Sequence, residues 1–115
     1  MSSEPLIVEQ EDRGILRLRG PLITENLASF QNAVRRGKAP IMFLDLSEVP
    51  YIDSAGLGSL VSLYISVHKA GRRVVLTGVN DRIAKLFEIT RVESLFLMFP
   101  SLPDALDALL NSGSA

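Results

Sequence analysis

The chain has 115 residues, a length that suits one compact domain and is short for two. It holds no cysteine and one histidine, which excludes disulfides, thiol catalysis, thiolate zinc sites and mechanisms that need two imidazoles. The 12 basic and 13 acidic residues give a net charge of −1. The longest basic clusters are pairs such as Arg35-Arg36 and Arg72-Arg73, so we expect no direct nucleic-acid partner.

Hydrophobic residues make up 47% of the chain, yet no apolar run approaches the 18 or so residues that span a bilayer. The start, MSSEPLIVEQ, lacks a basic region followed by an apolar stretch. We therefore expect no signal peptide and no membrane insertion. A cytoplasmic location fits the absence of cysteine, and neither a cofactor nor a metal is expected.

The first half of the chain reads as a hairpin, a helix and a buried strand. Residues 6–9 and 15–19 are short extended runs on either side of a polar turn. Thr24 is placed to cap a helix by accepting a first-turn N–H, and Gly37 to end that helix in a left-handed conformation. Residues 41–46 are nearly all apolar, which predicts an interior strand.

The second half continues the alternation of helices and strands. The predicted elements and caps are a helix over 55–70 closed by Gly71, a strand over 73–77, a helix capped by Asn80 or Asp81, a strand over 95–99, and a helix that begins at Ser101 with Asp104 in a capping-box arrangement.

The order β-β-α-β-α-β-α-β-α predicts an α/β fold with a mixed, mostly parallel sheet of about five strands and about four helices. Residues 1–5 and 111–115 look loose, so the whole chain, 1–115, is expected to form one domain with an ordered core over about 6–110. Function in such sheets gathers at the carboxyl ends of the strands, which directs attention to the segment after Leu46.

That segment reads IDSAGLG over residues 52–58 and enters a helix. Ser54 falls at the N-cap or in the first turn, where free N–H groups and the helix dipole tolerate a phosphate. Ala55, Gly56 and Gly58 have a small side chain or none, so another protein's active site can approach the hydroxyl of Ser54. The two glycines cost roughly 1–2 kcal/mol of helix propensity, which argues against a purely structural explanation.

Spacing excludes three enzyme classes. A serine hydrolase elbow needs glycine where Ile52 stands, and the one histidine, His68, lies 14 residues along the same helix, roughly 21 Å from Ser54. A dinucleotide fingerprint needs its third glycine at Val61, and the Gly-Lys-Ser/Thr of a Walker loop is absent. We therefore interpret Ser54 as a substrate rather than a nucleophile, and expect no catalysis by this chain.

The predicted helix over 55–70 carries two stripes. One stripe has the spacing of a face that packs on the core and consists of Leu57, Leu60, Val61, Tyr64 and Ile65. Small hydroxyl side chains, which a partner's helix can approach closely, dominate the other stripe of Ser59, Ser62, Ser66 and Lys69.

Two motifs carry a family resemblance. Asp45-Leu46-Ser47, followed by the segment over 52–58, resembles the signature of STAS domains and is most similar to the anti-sigma-factor antagonists of bacterial partner-switching systems. The similarity continues at residues 71–76, 86–90 and 104–106, so it covers essentially the whole chain.

The resemblance implies a fold, a function and partners. It implies that an anti-sigma factor with serine kinase activity phosphorylates Ser54 with ATP, and that a serine phosphatase reverses the modification. The unphosphorylated protein would bind the anti-sigma factor, free a sigma factor and so regulate transcription indirectly. The residues expected to contact the partner are Asp53, Ala55, Gly56, Gly58, Ser59 and Ser62.

One position departs from the family pattern. Many members carry an acidic residue shortly after the glycine that ends the second strand, whereas here Gly20 is followed by Pro-Leu-Ile-Thr, with Ile23 at that place. A more apolar contact surface would select a different kinase.

Several alternatives stay open. Ser54 and Asp53 can simply cap the helix, and Gly56 and Gly58 can serve close helix packing. The chain can be a non-phosphorylated STAS scaffold of a stress-signalling or transporter-associated complex. It can also be a small-ligand or nucleotide-binding protein that uses the start of this helix.

Overall fold

The computed structural model describes residues 5–111, apart from the side chains of Asp12 and Asn111. The strands are β1 (Ile7–Glu11), β2 (Ile15–Arg19), β3 (Ile41–Glu48), β4 (Arg73–Thr77) and β5 (Leu97–Phe99). The helices are α1 (Leu27–Arg36), α2 (Ser54–Lys69), α3 (Asp81–Thr90) and α4 (Leu102–Leu106). Single 3₁₀ turns occupy Asp12–Gly14, Thr24–Asn26 and Glu93–Leu95, and a π-helical turn over Asp107–Asn111 follows α4.

The strands form one sheet in the order β1-β2-β3-β4-β5. β1 and β2 pair as an antiparallel hairpin, and every later neighbour is parallel. Each parallel connection contains a helix, as crossovers between parallel strands require. The predicted α/β class and the mixed, mostly parallel sheet are confirmed.

The period-two alternation of side chains divides the sheet into two apolar faces. On the larger face, Leu44 and Leu76 pack in a cluster with buried residues of α1, α2 and α3. On the other face, Phe43 and Val75 pack with Leu102 of α4. A central strand covered on both faces explains why β3 is nearly all apolar.

Three local predictions are wrong. Gly37 does end α1, but with φ −73° it is not left-handed. The last strand begins at Leu97 rather than at residue 95, because the chain first makes a 3₁₀ turn over Glu93–Leu95. Ile65 is 47% exposed, because the buried stripe of α2 centres on Gly56, Leu60, Leu63 and Val67.

The predicted loose ends, 1–5 and 111–115, lie outside the described residues except for Pro5 and the backbone of Asn111. Within residues 5–111, none of the helices is long and apolar enough to cross a bilayer. The parallel strands all end at one edge of the sheet, which places the loops after β2 and β3 side by side. The start of α2 lies at this edge.

Candidate functional site

The loop after β2 lies against the segment that leads into α2. Leu22 and Ile52 form a parallel β-bridge. The N–H of Leu22 donates to the carbonyl of Tyr51 at 3.2 Å, and the N–H of Asp53 donates to the carbonyl of Leu22 at 3.3 Å. These backbone bonds act as a short extension of the sheet and fix the residue before Ser54 in place.

The carboxylate of Asp53 connects this loop to the helix. Its Oδ1 accepts the backbone N–H of Gly56 at 2.8 Å, which makes Asp53 the N-cap of α2. Its Oδ2 accepts both the N–H of Thr24 at 3.0 Å and the hydroxyl of Thr24 at 3.1 Å. One side chain therefore joins two segments that are 29 residues apart in sequence.

These hydrogen bonds favour the ionised form of Asp53. The backbone N–H of Gly56, followed by that of Thr24, lowers the pKa of the carboxyl below its ordinary value of 3.8. Partial burial opposes the shift, and the hydroxyl of Thr24 and the N–H of Ala55 add to it. Asp53 is therefore a weak base at neutral pH, with both oxygens engaged.

Ser54 is the first residue of α2 and its side chain is exposed. Among the described residues its hydroxyl has no hydrogen-bond partner, and the capping role belongs to Asp53. The alternative that Ser54 caps the helix is therefore wrong, and the alternative that Asp53 caps it is confirmed. The hydroxyl is available to an incoming group at the positive end of the helix dipole.

The two glycines of the first turn have different surroundings. Gly56 is buried, and a Cβ there would overlap the carbonyl oxygen of Leu22, so glycine lets α2 approach the β2 loop. Gly58 is exposed, and a Cβ there would meet nothing within 4 Å. Close packing thus explains Gly56 and does not explain Gly58.

An open groove of about 480 Å³ runs between α1 and α2 and begins beside Ser54. From α2 it is lined by Ala55, Ser59, Ser62, Leu63 and Ser66, and from α1 by Leu27, Phe30, Gln31, Val34 and Arg35. We call this the α1–α2 groove. The hydroxyl of Ser59 donates to the carbonyl of Gly56 at 2.8 Å, whereas Ser62 is exposed in the groove.

The structure therefore brings Ala55, Ser59 and Ser62 together along one groove, with Asp53 and Ser54 at the start of the same helix. It buries Gly56 and leaves Gly58 exposed, and partner binding at all six positions stays a prediction. His68 lies in the last turn of α2, stacked on Tyr64 with ring centroids 5.6 Å apart, and is remote from Ser54.

Sequence reasoning missed Thr24 as a site residue, and its predicted capping role is wrong. Its hydroxyl donates to Asp53 instead of accepting an N–H of α1, which begins three residues later at Leu27. Asn26 organises the intervening turn by accepting the N–H of Ile23 at 3.0 Å. Ile23 is buried, so Thr24 is the residue of this loop that meets Asp53.

The fold and the site define a small α/β domain that displays a free serine hydroxyl at the start of a helix. The model of the STAS domain family matches residues 4–105, and the chain belongs to this family. The predicted family is confirmed.

The anti-sigma-B factor antagonist of Listeria monocytogenes is 37% identical to this chain over 75 residues. The match covers 65% of this chain and 62% of that protein, so the chain spans less than two thirds of the length of this curated relative.

Several solved structures share the fold. An anti-sigma factor antagonist from Mycobacterium paratuberculosis has a TM-score of 0.75 and 23% identity over 90% of this chain and 92% of that one. The Bacillus cell fate determinant SpoIIAA in its phosphorylated form has a TM-score of 0.64 and 16% identity over 90% of this chain and 98% of that one.

The glycine surroundings predict opposite effects for two alanine substitutions. Gly56→Ala should lower the free energy of unfolding by at least about 2 kcal/mol, because its methyl group must displace the backbone at Leu22. Gly58→Ala should raise it by up to about 1 kcal/mol, since alanine is the better helix former. Urea unfolding followed by circular dichroism measures both, and equal effects would contradict the packing role of Gly56.

Asp53→Ala should lower the free energy of unfolding by about 1–2 kcal/mol at pH 7, because the cap and the Thr24 contacts are lost. The folded-state pKa is depressed, so this stabilisation is complete above the unfolded-state pKa and disappears as the pH falls through the folded-state value. Urea titrations between pH 7 and pH 2.5 measure the difference. A penalty that is the same across this range, or equal in the control Asp81→Ala, would contradict the assignment.

Proposed function

We propose that this chain is an anti-sigma-factor antagonist that is switched by phosphorylation of Ser54. The observation that carries the proposal is the exposed hydroxyl of Ser54, which is free of hydrogen bonds within the described residues at a helix start that a neighbouring residue already caps. Membership of the STAS family and the names of the relatives support it. On this proposal the protein works in the cytoplasm as a binding partner, not as an enzyme.

The unphosphorylated protein binds an anti-sigma factor through the surface around Ser54 and the α1–α2 groove. The groove starts at Ala55, and exposed Ser62 leaves room for a partner side chain or helix. Asp53 holds the rim of this surface rigid through its bonds to Thr24 and Gly56. Binding occupies the anti-sigma factor and releases the sigma factor, so the effect on transcription is indirect.

Phosphorylation uses groups that the kinase supplies. The γ-phosphoryl group of ATP moves to Oγ of Ser54, the bond to ADP breaks, and the hydroxyl proton passes to a base. Asp53 is poorly suited to be that base, because its pKa is lowered chiefly by the N–H of Gly56 and both oxygens already accept hydrogen bonds. The base therefore comes from the kinase-type anti-sigma factor.

The phosphate changes the charge of the surface without a new fold. It adds a charge of about −1.5 to −2 directly beside the carboxylate of Asp53. The combined negative charge weakens the complex with the anti-sigma factor. A serine phosphatase that removes the group restores binding.

Incubation with ATP and a kinase-type anti-sigma factor from the same organism should add one phosphate, at Ser54. Mass spectrometric mapping identifies the site, and Ser54→Ala should accept none. Ser94→Ala is the matched control, because Ser94 is an exposed serine that does not line the α1–α2 groove, and this variant should be modified like the original protein. Modification at another residue would sink the proposal. Normal switching in Ser54→Ala, with the anti-sigma factor still released on incubation with ATP, would also contradict it and would favour the non-phosphorylated scaffold.

The docking role of the α1–α2 groove predicts that Ser62→Arg weakens binding of the anti-sigma factor at least tenfold. The long side chain would fill the groove at a position that is now small and exposed. Ile65→Arg is the matched control, since Ile65 is exposed on α2 but does not line the groove. Isothermal titration calorimetry measures both affinities. Equal affinities would place the partner elsewhere.

A further inference from the structure

Seven of the 12 Lys and Arg residues lie at the edge of the sheet opposite to Ser54. They belong to three segments, 12–14, 35–40 and 68–73, which flank the starts of β2, β3 and β4. We call this the basal surface, formed by Arg13, Arg35, Arg36, Lys38, Lys69, Arg72 and Arg73, with His68 beside them.

Hydrogen bonds and close packing hold the three segments side by side. The Nε of Arg72 donates to the carbonyl of Ala39 at 2.8 Å, and the N–H of Arg73 donates to the carbonyl of Pro40 at 2.9 Å. Gly14 lies so close that a Cβ there would be 2.6 Å from the Cβ of Ala39. Basic pairs that are far apart in sequence thus form one continuous surface.

Most cations of the basal surface are accessible. All are exposed except the half-buried Arg72, and none forms an ion pair with another of the side chains that the structure describes, which do not include that of Asp12. The ion pairs of the described residues instead involve Arg17, Arg19 and Lys85. The sequence of the three segments contains a single carboxylate, at Asp12.

Helix dipoles account for only part of this arrangement. Cations in the last turn of a helix are stabilised by the free carbonyl groups there, and this explains the positions of Arg35, Arg36 and Lys69. Arg13, Lys38 and the two arginines that precede or start β4 are outside the α-helices. Arg13 even occupies the left-handed region, with φ +68°. These positions need another explanation.

We propose that the basal surface binds the anionic headgroups of a phospholipid membrane. Clusters of four to eight Lys and Arg residues are attracted to anionic lipid, about fivefold in affinity for each cation near the surface. Apolar side chains stand at the margin, as membrane interfaces favour. Ile65 is 47% exposed one turn before Lys69, and Leu97 is 37% exposed.

A cavity at this margin combines basic and apolar side chains. It has a volume of about 230 Å³ and is lined by the basic residues His68, Arg72 and Arg73 and by apolar residues that include Leu95 and Leu97. No carboxylate lines it. Its size suits a lipid headgroup, with the glycerol region against the leucines.

Nucleic acid fits the basal surface less well. Single strands stack their bases on exposed aromatic rings, but the phenol ring at this end, Tyr64, is half-buried between Phe96 and the imidazole of His68. Membrane binding also suits the position of Ser54. Ser54 and Lys69 are the first and last residues of α2 and lie roughly 22 Å apart along the helix, so the bound domain would present Ser54 away from the lipid.

Vesicle co-sedimentation tests the proposal with the whole chain. We expect binding to vesicles of phosphatidylcholine with 30% phosphatidylglycerol at low salt, little binding to pure phosphatidylcholine, and loss of binding at 0.5 M NaCl. The triple variant Arg36→Gln, Lys38→Gln, Lys69→Gln should bind at least tenfold more weakly.

The matched control is Arg19→Gln, Arg82→Gln, Lys85→Gln, which also removes three positive charges but away from the basal surface. It should bind within twofold of the original chain, and circular dichroism melting checks that both variants fold. Equal weakening of both variants, or no binding to the anionic vesicles, would overturn the proposal. Capture by single-stranded DNA in a gel-shift assay without vesicle binding would overturn it in favour of nucleic acid.

Discussion

The carboxylate of Asp53 is the interaction on which the geometry of the site depends. The chain leaves β3 and enters α2 after a short loop. Without a cap, the first turn of α2 would have unpaired N–H groups. Asp53 accepts one of them from Gly56, and at the same time accepts two hydrogen bonds from Thr24. Because one carboxylate accepts hydrogen bonds from both segments, the position of Ser54 relative to the β2 loop is fixed.

Local rules predicted most of the fold. The apolar run of β3 and the cap at Ser101 depend on neighbouring residues, and the structure confirms both. Of the two candidates for the cap of α3, Asn80 and Asp81, it selects Asn80. The errors arise where residues distant in sequence determine a contact. Thr24 looks like a cap for the helix that follows it, but its hydroxyl donates a hydrogen bond to Asp53, 29 residues away.

The candidate site was predictable in its position but only partly in its contacts. The motif over residues 52–58 placed Ser54 correctly at the start of α2, since helix-start signals are local. The separate roles of Gly56 and Gly58 depend on which one faces Leu22, and sequence spacing does not specify that. The α1 side of the groove was also missed, because the packing of α1 against α2 sets it.

Ser54 can carry a phosphate without disturbing the hydrogen bonds that define the site. Its hydroxyl contributes to none of the bonds among the described residues, whereas the capping and bridging bonds all end on Asp53. The helix dipole favours an added anion by about 0.3–1 kcal/mol, and the adjacent carboxylate opposes it. These two effects act at the start of α2, outside the buried cluster between α2 and the sheet. The proposed switch therefore operates through the charge of the surface that a partner meets, while the fold beneath it stays constant.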